Sequence, residues 1–596
     1  MLMRSWVARC RALQVWLLAG PGRFGAAAVL LSLPMWVFFL GARAMPVDEP
    51  VRSAAHVRGL VVWLGLGVGV AVLVAVLATQ LRYAHAVVTA WFVRLAGWPL
   101  ALILVGVAAA LRLTALEADA PARLFPYGRA FTTDEGLWGF LATEWAAGRS
   151  PLGSPEYLPG ALTLPATVLQ LLSTWLFGTS LGALRLTTAL LASLQAGAVY
   201  AACRRWLGES GAATVGVFLA SSFFLVMYQR VAFVDAVLAA LSASAFALWL
   251  ASRAQSWPQG VLVGAMAGLV VAVKPSGVAF LGGLGLAAVI ALWQARLTRR
   301  TLEFYAAVGV GGVAVALALA ASYFAFPLLG QAALATVTSN FAYAPTGVSH
   351  GFARLGEVLR REPLWVHMPV VALCGYLGML RLSLRLFRAS TRDPREAFVV
   401  GWWLAGLMML AIFGYIPHRY YLQLVVPLVC AALSFVSALW RGIDEVGARW
   451  WRPLLALLLV ADLVFSLGRY GVWWSERRFT QRDAGRAIAR YLGVKAQSTQ
   501  VSGPWSFNLA VSGKFRPHGF RLPHLTPRQI EAEGVHYLLR DRLDLMTYPD
   551  RLVAPGLTLR PVLRLCFYCT DEASPNLELV TIEIPQPSVI PAESGD

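Results

Sequence analysis

The chain is short of charge and nearly devoid of lysine. Only 14% of its 596 residues are Asp, Glu, Lys or Arg, against about 25% in soluble globular domains. Lysine occurs three times, as Lys274, Lys495 and Lys514, in a total of 50 basic residues. The first twenty residues lack a small-residue cleavage site after Arg4, Arg9 and Arg11, so they read as a cytoplasmic lead-in and not as a removed signal peptide. No internal repeat is evident. Of the six cysteines, Cys10, Cys203, Cys374 and Cys430 lie in or beside apolar segments. The Cys566-x-x-Cys569 pair has no second pair or His pair in register, which argues against zinc and leaves a disulfide or two thiols.

What replaces charge is apolar sequence. Hydrophobic residues make up 58% of the chain, more than a soluble fold of this length could bury. They fall in blocks of roughly 17–22 residues, the length that crosses a hydrocarbon core of about 30 Å. About thirteen such spans are expected: 24–43, 60–79, 98–116, 181–202, 212–227, 234–251, 257–273, 277–292, 304–327, 364–380, 398–416, 420–440 and 453–467. The stretch 158–177 is interrupted by Pro159 and Pro165 and reads as a helix at the membrane surface.

The net charge of +19 could suggest nucleic acid. The arginines, however, punctuate the gaps between spans, as topology-setting charges do, and nucleic-acid binding is excluded on that ground. With the N-terminus cytoplasmic, inside loops carry about twenty Lys and Arg and outside connections about eleven, in keeping with the positive-inside rule. This topology puts the loops 117–180 and 328–363 and the tail from about 469 on the outside. The tail has more charge, a helical pattern over 483–492 and strand-like runs at 557–560 and 577–584, which predict a small α/β domain. The expected fold is therefore an all-α polytopic membrane protein with a small extracytoplasmic α/β domain. It divides into an extension (1–96) with two spans, a core (97–468) and the C-terminal domain (469–596).

Four polar groups fall at one depth on the outer side. Asp134 and Glu135, in Thr133-Asp134-Glu135-Gly136, precede a predicted helix. Adjacent carboxylates there could act as a general base or hold a divalent cation, or simply cap the helix. Arg230, followed by Asp235, sits between two spans, where its forked guanidinium suits a phosphate and where an arginine can also merely snorkel. Lys274 is the single lysine of the membrane part. A compact ammonium could meet a phosphate oxygen or serve as an anchor. His418, Arg419, Tyr420 and Tyr421 open a later span and could be a cation cluster or an aromatic belt. Asp462, within the last span, reads equally as functional or as paired with a neighbouring helix. The glycine runs at 65–69 and 309–312 lie in spans, where small residues permit close helix packing, and are not nucleotide fingerprints.

In this order the motifs resemble the GT-C superfamily of membrane glycosyltransferases, with the protein O-mannosyltransferase-like and aminoarabinose-transferase-like branches nearest. The likeness spans about 98–467. It comprises Asp134-Glu135-Gly-Leu-Trp with Ala146-Ala147-Gly148, a Pro-containing juxtamembrane helix, Phe177-Gly178, Leu184-Arg185-Leu186, Gln229-Arg230 through Asp235, Gly268 through Lys274, and His418-Arg419-Tyr420-Tyr421 with Pro427. The resemblance implies a sugar donor on a polyprenyl phosphate, an extracytoplasmic acceptor (lipid, glycan or protein), and transfer with inversion in a plasma membrane such as the bacterial inner membrane. It implies that Asp134 takes the acceptor's proton while Glu135 supports it or helps bind a cation. Arg230, Lys274, His418 and Arg419 would surround the donor phosphate. Asp235 would orient Arg230 or the acceptor, with Tyr157 and Tyr420 in similar roles. Aminoarabinose-transferase relatives carry a Lys before a Pro pair where this chain reads Glu156-Tyr157-Leu158-Pro159-Gly160, so the sugar stays open. The alternative class is a transporter or lipid-linked-glycan flippase, which calls for internal repeats and charge at mid-membrane.

Overall fold

The computed structural model describes residues 98–119, 135–149, 159–252, 256–294, 298–341, 348–388, 392–412, 416–446, 451–503, 505–518, 527–532, 534–541, 558–565 and 577–583. The two N-terminal spans expected from the sequence, Asp134, Tyr157, Cys566 and Cys569 lie outside these residues.

Helices dominate. In chain order they are α1 (Trp98–Leu113), α2 (Glu135–Ala146), α3 (Leu164–Phe177), α4 (Leu181–Ser221), α5 (Phe223–Gln229), α6 (Val234–Ala251), α7 (Trp257–Val273), α8 (Val278–Gln294), α9 (Arg299–Ala325), α10 (Pro327–Phe341), α11 (Val348–Arg360), α12 (Pro369–Phe387), α13 (Pro394–Ile412), α14 (Leu422–Val446), α15 (Trp451–Ser475), α16 (Thr480–Leu492), α17 (Ser506–Gly513) and α18 (Pro527–Ala532). Eight helical stretches among the described residues are long and apolar enough to cross a membrane, and α1, α3 and α7 are shorter apolar helices. The eleven expected spans that fall on described residues all coincide with helices, with shifted ends.

Local chemistry explains the shifts. At 41 residues α4 is too long for one crossing. Gly208 breaks it at φ 77°, a conformation costly for any residue with a Cβ, between the expected spans 181–202 and 212–227, and Ser222 interrupts the second of these before α5. The span expected to start at 364 starts at Pro369. A one-turn helix, Leu364–His367, ends at Met368 (φ −155°), because a residue before proline is pushed out of the helical region. Asp462 of α15 accepts from the Val371 amide in the first turn of α12 (2.8 Å), the neighbouring-helix pairing considered for it.

Close approach holds the bundle together. A Cβ on Gly264 of α7 would stand 1.9 Å from the Val308 carbonyl oxygen of α9, and one on Gly311 would stand 2.1 Å from that of Val261. Within the 309–312 run Gly311 is thus the packing position, and Gly309 has nothing within 4 Å. An aromatic cluster of Phe246, Phe280, Phe398 and Trp402 fills the space between α6, α8 and α13. Helix α3 is inverted: Thr167, Gln170, Ser173 and Thr174 are buried, while Trp175 and Phe177 are 67% and 63% exposed. That arrangement suits a helix with its apolar face toward lipid.

After α15 the chain forms a five-stranded sheet in the order β2-β1-β3-β5-β4. The strands are β1 (Gln500–Ser502), β2 (Arg516–His518), β3 (Val535–Asp541), β4 (Thr558–Leu565) and β5 (Leu577–Glu583). β1 runs parallel to β2 and β3, and β5 runs antiparallel to β3 and β4. Strand alternation sends Leu577 and Leu579 into one core with Ile488 of α16 and Leu509 of α17, and Val580 into another with Ile530 of α18. The expected small α/β region is present.

Candidate functional site

Lys274 follows the last residue of α7 and precedes Pro275, so its backbone is extended (φ −159°, ψ 135°). Its Nζ lies 2.6 Å from Oδ1 of Asp235, which stands in the first turn of α6. Arg419 comes from the short turn His418–Tyr421 that leads into α14, and its Nε is 3.5 Å from Oδ2 of the same Asp235. The Tyr420 ring lies 4.0 Å from the Lys274 nitrogen, and the Trp138 ring of α2 lies 5.6 Å from it. Lys274 is 8%, Asp235 2% and Arg419 4% exposed. Four elements distant in sequence thus bring two cations onto one carboxylate between aromatic faces. His418 shares the turn with Arg419, and Arg361 lies within electrostatic reach of it.

Arg230 lies elsewhere. Its guanidinium stacks over Trp473 at 4.1 Å and donates to the carbonyls of Leu111 and Ala115 at the end of α1. A planar cation at a helix C-terminus satisfies carbonyls the helix leaves open. The expectation that Asp235 orients Arg230 is therefore corrected. Asp235 pairs with Lys274 at the end of α7 and Arg419 just before α14, while the Arg230 side chain, five residues away in the chain, turns to Trp473 and the end of α1.

Glu135 begins α2 and is fully buried. Arg185 of α4 grips it with both prongs, Nε to Oε1 at 2.6 Å and Nη2 to Oε2 at 2.7 Å. The Ala232 amide donates to Oε1 at 2.9 Å. Both Glu135 oxygens thus carry protein donors, while Asp134, its partner in the expected cation pair, lies outside the described residues. Among the described residues no group of three or more His, Cys, Asp or Glu could hold a metal ion. Arg185 also donates to the carbonyls of Leu116 and Ala118 and lies 3.8 Å from Asp119. Burial pushes the Asp119 carboxyl up to about 6, outweighing the attraction of Arg185. Further along, Arg469 sits 2.8 Å from Nδ1 of His367. Arginine can only donate, so Nδ1 accepts. Burial, then Arg469 and His418, depress His367 to about 3.

Arg185 was noted from the sequence only within Leu184-Arg185-Leu186 and given no role, and Asp119, Trp473 and Asn508 were not singled out. A charge within the apolar α4 run was the available signal for Arg185. The other three carry no local signature.

Residues 164–326 match the family described as dolichyl-phosphate-mannose-protein mannosyltransferase. No curated protein sequence matches the chain. Among solved structures, ArnT from Cupriavidus metallidurans bound to undecaprenyl phosphate superposes with a TM-score of 0.52 at 16% identity, covering 82% of this chain and 98% of that chain. The archaeal oligosaccharyltransferase AglB from Archaeoglobus fulgidus, in complex with an inhibitory peptide and a dolichol-phosphate, gives 0.50 at 12% identity, covering 76% and 70%.

Proposed function

The chain has the GT-C fold of membrane glycosyltransferases, and from that premise we propose that it moves a sugar from a polyprenyl-phosphate donor to an extracytoplasmic acceptor, with inversion at the anomeric carbon. The observation that carries this reading is the Lys274–Asp235–Arg419 cluster, a buried and preorganised pair of cations. An acceptor oxygen attacks the anomeric carbon from the face opposite the phosphate. The carbon–oxygen bond to phosphate breaks, polyprenyl phosphate leaves with one more negative charge, and Asp134 takes the acceptor proton. Positive groups fixed where that charge develops stabilise the transition state and need no reorganisation. Lys274 and Arg419 hold the phosphate, His418 offers it a ring N–H, and Asp235 keeps the two cations in place. Arg230 acts from further away by holding the end of α1. Tyr420 holds its ring against Lys274, Tyr157 belongs to the acceptor side, and Glu135 acts through Arg185 to hold the acidic turn. The division at 97 and 469 then separates an extension, a catalytic core and an external domain in the plasma membrane.

The test uses the full chain in nanodiscs with a panel of polyprenyl-phosphate sugars and a membrane extract as acceptor source. Release of polyprenyl phosphate by the wild type, lost in Asp134→Asn, is expected, and the active donor identifies the sugar. No release with any donor would sink the transferase reading and favour a flippase, and equal release by the variant would remove Asp134 from the mechanism.

A further inference from the structure

The C-terminal α/β region has no part in the chemistry described so far, yet it touches the start of α2. The Gly136 amide donates to Oδ1 of Asn508 in α17 at 2.8 Å, across 372 residues. The first amides of a helix have no partner within it, so this is a cap supplied by a remote part of the chain. Asn508 is 1% exposed and Gly136 is buried. A Cβ on Gly136 would stand 2.4 Å from the backbone of Phe507 and Asn508, so only glycine admits the contact. One turn on, Phe140 of α2 meets Phe507 edge to face at 5.0 Å. A second tie runs through Asp119. Its Oδ2 accepts from the Gln481 amide in the first turn of α16 at 3.1 Å, and Asp119 flanks Arg185, which grips Glu135. Helix α2 in turn presents Trp138 to Lys274.

We propose that the C-terminal region is a positioning element of the transfer site, with Asn508 as the residue that fixes the start of α2 against the Lys274–Asp235–Arg419 cations. The inference rests on the reading of Asp134, the residue directly before Glu135, as the base. A base must sit within tenths of an ångström of its working position, and loss of such alignment costs rate rather than binding.

Asn508→Leu keeps the side-chain shape and removes the acceptor. In nanodiscs it should turn over the active donor roughly ten-fold more slowly than wild type while binding undecaprenyl phosphate unchanged. Asn508→Asp keeps an acceptor oxygen, so it should recover much of the rate. Its added carboxylate should also move the pH–rate profile upward by disfavouring ionisation of a neighbouring acid. Hydrogen exchange is read on the same samples: amides of α2 should exchange faster in Asn508→Leu than in wild type. Wild-type turnover in Asn508→Leu would overturn the proposal, as would parallel loss of undecaprenyl phosphate binding and thermal stability with no rescue by Asp. Inactivity of the wild type with every donor would fail the transferase reading alone. Unchanged α2 exchange in Asn508→Leu would then fail the positional tie independently.

Discussion

Replacing Glu135 by Gln removes one charge from a fully buried pair and leaves its shape almost intact. In the wild type Arg185 holds Glu135 at 2.6 and 2.7 Å, with side-chain exposures of 1% and 0%. Breaking a buried pair by removing one partner costs about 3–5 kcal/mol, because the remaining charge has lost its solvation without compensation. Asp119, 3.8 Å from Arg185, is the reserve partner and decides where in that range the loss falls. In the wild type burial raises Asp119 to about 6. The stability its proton confers is therefore present below the ordinary carboxylate range and is lost as pH rises through 6. In Glu135→Gln the negative charge that helps to raise Asp119 is gone while burial and the attraction of Arg185 remain, so ionising Asp119 costs less than in the wild type. Within that range the difference between the two proteins should be larger at pH 5 than at pH 8 by up to about 1.4 kcal/mol, because at pH 5 the wild type still gains from a protonated Asp119 one unit below its titration and the variant gains less. Thermal unfolding in nanodiscs, followed by tryptophan fluorescence at both pH values, reads this difference. A double Glu135→Met, Arg185→Met variant should recover most of the loss. Equal loss at both pH values, or none, would refute the shared-arginine account.

Three further outcomes follow from the geometry. Lys274→Arg puts a larger planar cation where an ammonium lies 2.6 Å from Asp235 and 4.0 Å from the Tyr420 ring. Turnover should fall at least about ten-fold, since the two cations are not interchangeable at such a site, and wild-type rates would remove the ammonium from the mechanism. Gly264→Ala drives a methyl toward the Val308 carbonyl, 1.9 Å from the ideal Cβ, and should cost about 1–3 kcal/mol of stability. Gly285→Ala, with nothing within 4 Å, should leave the unfolding midpoint unchanged. Glu362 is 2% exposed, and burial raises its carboxyl to about 8, with only the Leu364 amide pulling the other way. Its contribution should be lost as pH rises from about 5 through 8, so the unfolding midpoint should fall over that window in wild type and less in Glu362→Gln. Identical pH dependence in the two would refute this.

Much of the site was legible because the membrane makes charge expensive. Lys274, Asp235 and Arg419 stood out as polar groups at span ends, and they do converge. Arg230 stood out by the same rule, yet it caps α1 against Trp473. The rule identifies a costly charge without naming its partner. Glu135 was read with Asp134 as a pair because the two are adjacent in sequence. Its actual partner, Arg185, is 50 residues away on another helix.

By itself, then, the sequence determined the class of the molecule. Long apolar blocks leave no other way to satisfy backbone hydrogen bonds in a bilayer than helices, and the spacing of Gly, Pro and Arg marks where those helices end. Tertiary structure alone decided which carboxylate answers which cation, that α3 turns its apolar face outward, and that Asn508 caps a helix 372 residues away. Periodicity is set by neighbours along the chain, whereas an ion pair or a remote cap is set by which helix ends meet, and that depends on packing between segments no local pattern encodes.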